Sequence, residues 1–530
     1  MSMSEITASF AEHVALELYG LQAKAKPLVG EYDKNFHLEL ERGEFVLKIM
    51  GSQAERETLE LQIAALEHIA RQNSELNAPR VQQTKKNTLI ESIDAPDGKR
   101  LVWLLSYIPG KLYAHVKPHT PELLESFGGV LASFDKALLG FEHPAAKRNL
   151  KWDLAKAEWT VQHLQDIADE RQRTMTERIL ENYLQTVQPA LSEVRSSVIH
   201  NDANNYNVLV DKGVVTSLID FGDMLYTATI NELAIAAAYA MMDHEDSLGA
   251  LVNIVRGYHS VLPLTRKELE LLFPLVQTRL AVSVTNSAIQ KRLRPDDLYV
   301  VISEKPAWEL LEKLEKIPPR LAYYSFLEAC SLETPNAKNV VNVLKKYAGQ
   351  FAPILGAHLE SYHVLDLTPS SSLYSGDPRQ HDNAALSKVI NAEMAEHSVD
   401  VAIGRYDEPR LLYTSSMVAR TNALTSERRT VHIGLDLFAK AGTPIYAPLE
   451  GTIEAFANNT DALDYGPVIV LRHELDGIVF YTLYGHLSLE SLQDKRKGQV
   501  IKKGKTFATL GATPINGDWP PHLHFQILVF

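Results

Sequence analysis

The stretch from Ser197 to Asp223 constrains this chain more than any other. Ser197-Val-Ile199 reads as an apolar strand, His200 to Asn207 as a polar loop, and Val208-Leu-Val-Asp211 as a second strand. After a turn at Lys212-Gly213, Val215-Thr-Ser-Leu-Ile219 supplies a third strand that ends in Asp220-Phe-Gly-Asp223. The loop presents His200, Asp202 and Asn207, and the third strand delivers Asp220 just before Gly222. Asp202 is placed to take or orient a hydroxyl proton. Asn207 and Asp220 are hard oxygen ligands of the kind magnesium prefers when it also holds phosphates. Asp and Asn are common in turns, but turn chemistry alone is a poor account of four apt residues between apolar strands.

The rest of the chain sets limits. Its 530 residues exceed one core, and at roughly 100–200 residues per domain imply about three. A net charge of −13 argues against nucleic acid or an anionic membrane as main partner. No apolar run is long enough to cross a bilayer. Glu5, Glu12 and Glu17 interrupt the apolar residues of Met1 to Leu21, so that segment reads as an amphipathic helix, not a signal peptide. A single cysteine, Cys330, excludes an internal disulfide and fits a reducing compartment. The expectation is a cytoplasmic enzyme.

Ala25 to Leu47 alternates as two or three strands, with turns near Gly30-Glu31-Tyr32-Asp33 and Glu41-Arg42-Gly43-Glu44. Phe45-Val-Leu-Lys-Ile-Met50 places Lys48 inside an apolar strand, where its ammonium needs a partner. The helix expected from Ser52 to Arg71 carries Glu57 and Glu60 about a turn apart. Leu101 to Gly110 reads as a buried strand and hinge. Helical spacing follows over Pro121 to Leu191, Asn231 to His244 and Leu248 to Tyr347. Leu367 to Arg379 is loop-like, and beyond it short apolar runs alternate with glycine-bearing turns.

The first ~350 residues resemble the aminoglycoside/choline phosphotransferase superfamily, above all its hydroxylysine-kinase and homoserine-kinase branch. The carrying residues are Leu18-Tyr-Gly-Leu21, Tyr32-Asp-Lys-Asn-Phe-His37, Phe45-Val-Leu-Lys-Ile49, Tyr107-Ile-Pro-Gly110, the H-x-D-x-x-x-x-N of His200 to Asn207, and Ile219-Asp-Phe-Gly-Asp-Met224. The resemblance implies Asp202 as catalytic base and Asn207 and Asp220 as magnesium ligands. It also implies Lys48 on the nucleotide phosphates, with Glu60 (or Glu57) anchoring it. G-x-G-x-x-G is missing, and only Gly30 stands in the phosphate-covering loop. Substrates of this branch join an amine to a hydroxyl. Asp223, Glu232 and Trp152 are candidates for holding the amine.

A second chemistry lies in His432-Ile-Gly-Leu-Asp436, Tyr484-Gly-His-Leu487 and His522-Leu-His-Phe525. Strand alternation puts His522 and His524 on one face. Two imidazoles there, with a His/Asp pair flanking Gly434, can build a three-ligand zinc site with a position open for water. These motifs, with Ala441 to Pro448, Gly451-Thr-Ile453 and Gly498 to Gly504, resemble the lysostaphin-type zinc endopeptidases over roughly residues 400–530. The resemblance implies His432, Asp436 and His524 as zinc ligands, with His486 and His522 assisting.

The expected fold is α+β and multidomain: a bilobal protein-kinase-like fold with small lobe 1–108 and helical large lobe 109–360, a linker 361–395, and a small all-β barrel-sandwich domain 396–530. The expected activity is ATP- and magnesium-dependent phosphorylation of a small amino alcohol or hydroxy amino acid, with an appended zinc-site domain. Alternatives are a zinc peptidase regulated by a kinase-like domain, or an aminoglycoside phosphotransferase. The apolar strand still running at Phe530 further suggests a longer polypeptide, continuing into a pyridoxal-phosphate-dependent phospho-lyase domain.

Overall fold

The computed structural model describes residues 6–30, 33–242, 244–293, 304–334, 336–356, 361–373, 383–411, 419–420, 427–428, 430–461 and 463–529. Glu31 and Tyr32 of the first expected turn, residues 374–382 of the expected linker and the final Phe530 lie outside these. The chain forms two compact units, Met1–Leu332 and Glu333–Phe530.

In the first unit, Thr7 caps the helix Ala8–Val14, which runs on as a π turn, Ala15–Tyr19, and closes at Gly20 with φ +71°. A six-stranded sheet follows. Lys24–Leu28, Lys34–Glu39 and Glu44–Ile49 pair in sequence order; Glu44–Ile49 then pairs with Gly98–Ser106, which also carries Val81–Gln82 and Glu91–Ala95. The period-2 alternation of a strand decides where Lys48 goes. Leu47, Ile49, Val102 and Leu104 share a core with Ala11 and Val14 of the first helix. Lys48 and its cross-strand neighbour Trp103 therefore face the other way, where Trp103 joins the core of the helical lobe. The helix Arg56–Gln72 buries Leu59, Ile63, Leu66 and Ile69.

The large lobe is built on a close helix pair. Thr120 caps Pro121–Leu138, and Asp246 caps Ser247–Val261. A Cβ on Gly128 would stand 1.9 Å from the Ile254 carbonyl oxygen, and one on Gly257 1.9 Å from that of Glu125. The two backbones touch because neither residue has a side chain. Ser126 Oγ on this pair accepts the Val215 N–H at 2.9 Å. That bond seats the hairpin Val208–Asp211/Val214–Leu218, which turns through Lys212 (φ +49°) and Gly213 (φ +81°). The strand Ser196–Ile199 pairs with Leu225–Ala228. Loop 200–207 thus leaves one strand pair and enters another, fixed at both ends. The apolar helix Ile230–Ala240 and the long helix Arg266–Leu293 pack behind it.

The second unit centres on an eight-stranded sheet in the order Tyr362–Val364, Val401–Gly404, Leu435–Phe438, His522–Leu528, Ile478–Gly485, Gly466–Leu475, Gly451–Asn459 and Val500–Ile501. Only the first pairing is parallel. Pro444–Tyr446 pairs with Thr506–Thr509, and Ile445, Ile469, Leu471, Tyr484 and Leu523 fill the core. The stretch expected as a linker holds Tyr362–Val364 and most of the helix Asn383–Glu396, whose Leu386 and Ile390 pack with Leu365, Leu367, Ala402 and Phe438.

Candidate active site and candidate metal centre

The loop between the two strand pairs is shaped around Asp202. Asn201, which is buried, takes φ +68°, and Asp220 takes φ +64°. Left-handed backbone at non-glycine residues is costly and gathers at functional sites. His200 joins the two segments. A ring nitrogen beside a carbonyl must carry the proton, so Nε2–H donates to Ile219 O at 3.0 Å, while Nδ1 accepts the Asp202 N–H at 3.3 Å. The His200 ring also meets Phe221 edge-on at 4.7 Å.

The Asp202 carboxylate is held by two amides. Asn204 Nδ2 donates to both oxygens at 3.0 Å, and Asn207 Nδ2 donates to Oδ2 at 2.8 Å and to the backbone oxygen at 2.9 Å. With its amide nitrogen so used, Asn207 presents its oxygen as an acceptor, as a magnesium ligand must. Burial pushes Asp202 up to about 7, opposed by the Arg279 guanidinium and assisted by Asp223. Asp220 differs: Lys48 Nζ, on a side chain almost wholly buried, donates to its Oδ1 at 3.0 Å and holds it below the usual carboxylate range.

Two expectations are corrected by the placement. Neither Glu60 nor Glu57 anchors Lys48. Both are on the exposed face of their helix, and Glu60 instead pairs with Arg56 at 3.0 Å. Glu232 does not reach a substrate amine. It is fully buried behind the loop, its Oε2 accepts the Asn201 N–H at 2.7 Å, and burial raises its pKa well above the usual range. The Arg279 guanidinium carbon lies 5.0 Å from the Trp152 ring centroid, so one cation already sits against that ring. Asp223 remains near the site, close enough to act on both Asp202 and Arg148. Arg148, which the spacing did not single out, donates to the carbonyls of Gly222 (2.6 Å) and Met224 (3.0 Å) and so fixes the segment after Asp220.

In the second unit, sheet register builds the other cluster. Asp436 lies directly opposite His524 on adjacent strands. His432 Nε2, His524 Nδ1 and Asp436 Oδ1 stand 3.1 Å apart in all three pairings, with every side chain buried. Ligands at about 2.0 Å from a tetrahedral ion lie about 3.3 Å from one another, so this triangle fits zinc. His432 Nδ1–H donates to Arg405 O at 2.8 Å, which leaves Nε2 unprotonated. A Cβ on Gly434 would come within 2.3 Å of the His524 ring; glycine there makes room for the imidazole.

His522 and His486 complete the setting. Their Nδ1 atoms donate to Pro520 O (2.6 Å) and Asn516 O (2.8 Å), and His522 Nε2 is 3.6 Å from Asp436 Oδ1. Burial lowers His522 to about 4, and His486 is also well below the ordinary imidazole range. Burial alone would raise Asp436, yet His522 and Arg410 hold it well below the carboxylate range. Arg410, absent from the motif reading, donates to Asp436 Oδ2 at 2.6 Å and to the buried Glu408 at 2.9 Å.

A strand lysine, an Asp/Asn loop and an acid ahead of Phe-Gly, gathered at one site, define a kinase-like phosphotransferase; the His/Asp/His triangle defines a second domain of the lysostaphin type. The chain belongs to the phosphotransferase enzyme family, which residues 24–271 match, and residues 430–529 match peptidase family M23. It is 30% identical over 337 residues to a hydroxylysine kinase of Mus musculus, spanning 58% of this chain and 89% of that protein. An uncharacterized metalloprotease of Haemophilus influenzae is 37% identical over 95 residues, 18% of this chain and 18% of that one. An amicoumacin kinase solved with AMP-PNP and Ca2+ covers 59% of this chain and 97% of its own, with 15% identity and a TM-score of 0.47. The chain is a small-molecule kinase with a C-terminal M23 domain. Among the described residues no helix is long and apolar enough to cross a membrane.

Proposed function

We propose that the first unit transfers the γ-phosphoryl group of ATP to the hydroxyl of a small amino alcohol or hydroxy amino acid, in the cytoplasm where ATP is available. The observation that carries this is the Asp202 carboxylate, oriented by Asn204 and Asn207 beside the Lys48–Asp220 pair. The acceptor oxygen attacks the γ-phosphorus while its proton passes to Asp202, and the bond to the bridging oxygen breaks to release ADP. Asn207 and Asp220 would hold magnesium, which supplies charge neutralisation on the phosphates. Lys48 would pass from Asp220 to the phosphate oxygens. The product carries a phosphate that a pyridoxal-phosphate-dependent phospho-lyase can eliminate, and we place such a reaction next in sequence.

For the second unit we propose one zinc ion on His432, Asp436 and His524. It would supply Lewis acidity to a bound water, with His486 and His522 as its neighbours.

An ATP-consumption screen over amino alcohols, hydroxy amino acids and aminoglycosides, run on the parent and on Asp202→Asn, tests the kinase reading. A base must be unprotonated, so with Asp202 titrating at about 7 the parent's kcat/KM should fall as pH drops below that value. The variant should lose about 10²–10⁴-fold in turnover and the acid limb with it. Undiminished turnover in Asp202→Asn refutes the assignment.

A further inference from the structure

In the second unit, the helix Asn383–Glu396 and the edge strand Tyr362–Val364 bring together metal-ligating side chains outside the His432–Asp436–His524 triangle. Leu386 and Ile390 seat the helix against Ala402 and Phe438 of the sheet. Glu393 lies in its last turn and His397 just beyond its end. The chain then leaves through Ser398, at φ +52°, with the Val399 N–H donating to the Met394 carbonyl at 3.0 Å. This closing turn feeds into Val401–Gly404, whose parallel partner is the strand that carries His363. His363 is in register with Ala402, Phe438 and His522, so all four point to the face the helix covers. Three strand spacings put His363 about 14 Å from His522, too far to share an ion with the triangle.

His363 Nε2 is 3.3 Å from Glu393 Oε2, and the His363 and His397 rings stack with centroids 3.7 Å apart. One donor atom from each of the three residues falls within 4.8 Å of the other two. His397 Nδ1–H donates to the Glu393 carbonyl at 3.0 Å, which leaves Nε2 as a lone-pair donor. The side chains of His363, Glu393 and His397 are 25%, 24% and 44% exposed, so an ion reaches them from solvent with no opening of the fold. A surface ion pair needs one imidazole per carboxylate; a second, stacked on the first, competes for the same oxygens. A cation that both imidazoles and the carboxylate can ligate together removes that competition.

We infer that His363, Glu393 and His397 form a second metal site, an exchangeable one that takes a divalent transition ion such as zinc from solution. Two imidazoles and a carboxylate suit zinc, nickel or copper and not magnesium or calcium. Donors round a tetrahedral ion stand about 3.3 Å apart, so the set draws in by at most about 1.5 Å as His397 turns its ring out of the stack. That adjustment, and the exposure, make this ion looser than one in the buried triangle. Once bound, it ties the edge strand to the helix that covers it.

The test is uptake of zinc chloride by the full chain in equilibrium dialysis, after a chelating resin has stripped loosely held metal. The parent should take up one equivalent beyond any resident zinc, and a large excess of magnesium should not displace it. His363→Ala and His397→Ala should each raise the Kd of that added equivalent at least about 10-fold and leave resident zinc in place. His524→Ala should do the reverse. His13→Ala, which removes an exposed histidine one turn from Glu17, should change neither. No added equivalent in the parent, the same uptake in both His363→Ala and His397→Ala, or an equal loss in His13→Ala overturns the inference. An equivalent lost in His397→Ala but kept in His524→Ala supports it even if no resident zinc is found, an outcome that removes only the zinc reading of the triangle.

Discussion

Asp220 and Asp436 are both proposed to hold a divalent ion, and their surroundings are opposite. Asp220 is half exposed, on left-handed backbone, with one lysine against it at 3.0 Å. Asp436 is buried among His432, His522 and His524 on one oxygen and Arg410 on the other. The difference follows from what each site must do. An ion that arrives with a nucleotide and leaves with it needs ligands at the surface and a cation to occupy them meanwhile. A resident ion needs a set assembled in advance, each imidazole locked by a carbonyl. The first arrangement leaves strain in the backbone; the second places it in buried charge.

The largest effect expected from this comparison is in the closed site. His524→Ala should reduce bound zinc from about one ion per chain to almost none, read by metal analysis of the purified protein, because the remaining pair cannot complete three ligands. Equal zinc in parent and variant breaks the comparison on that side. On the open side, Lys48→Met should lower kcat/KM for ATP by about 10²-fold and leave zinc content unchanged. The smallest effect distinguishes the two accounts of Lys48. Glu60→Gln should alter ATP kinetics less than about twofold, since an exposed pair such as Arg56–Glu60 contributes only about 0.3–0.5 kcal/mol. A loss as large as that of Lys48→Met would mean that the lysine turns to Glu60 once nucleotide is bound.

Both constellations could be seen in the sequence where chemistry and spacing coincide over a few residues, as in His200 to Asp220 or His522 to His524. What escaped was set by facing. Leu59, Ile63, Leu66 and Ile69 choose the buried side of their helix and turn Glu57 and Glu60 to solvent, which the 3.6-residue period implies but a pairing pattern alone does not. Glu232 and Arg279 lie within apolar helical runs. A charge surrounded by Ala, Leu and Val is itself the signal of a buried, partnered group. Arg410 and Glu408 carried no such signal. They come to Asp436 only through the pairing of Glu408–Pro409 with Val431–His432 and of Val401–Gly404 with Leu435–Phe438, contacts with no fixed spacing to read.

The glycine contact between Pro121–Leu138 and Ser247–Val261 has a mechanical meaning. Where Gly128 and Gly257 meet, main chain presses on main chain, with no layer of side chains between them to change rotamer or slide. Close-packed interiors yield by such adjustments, and here there is nothing to adjust. The hairpin bonded to Ser126 therefore rests on a contact that no change of rotamer can loosen.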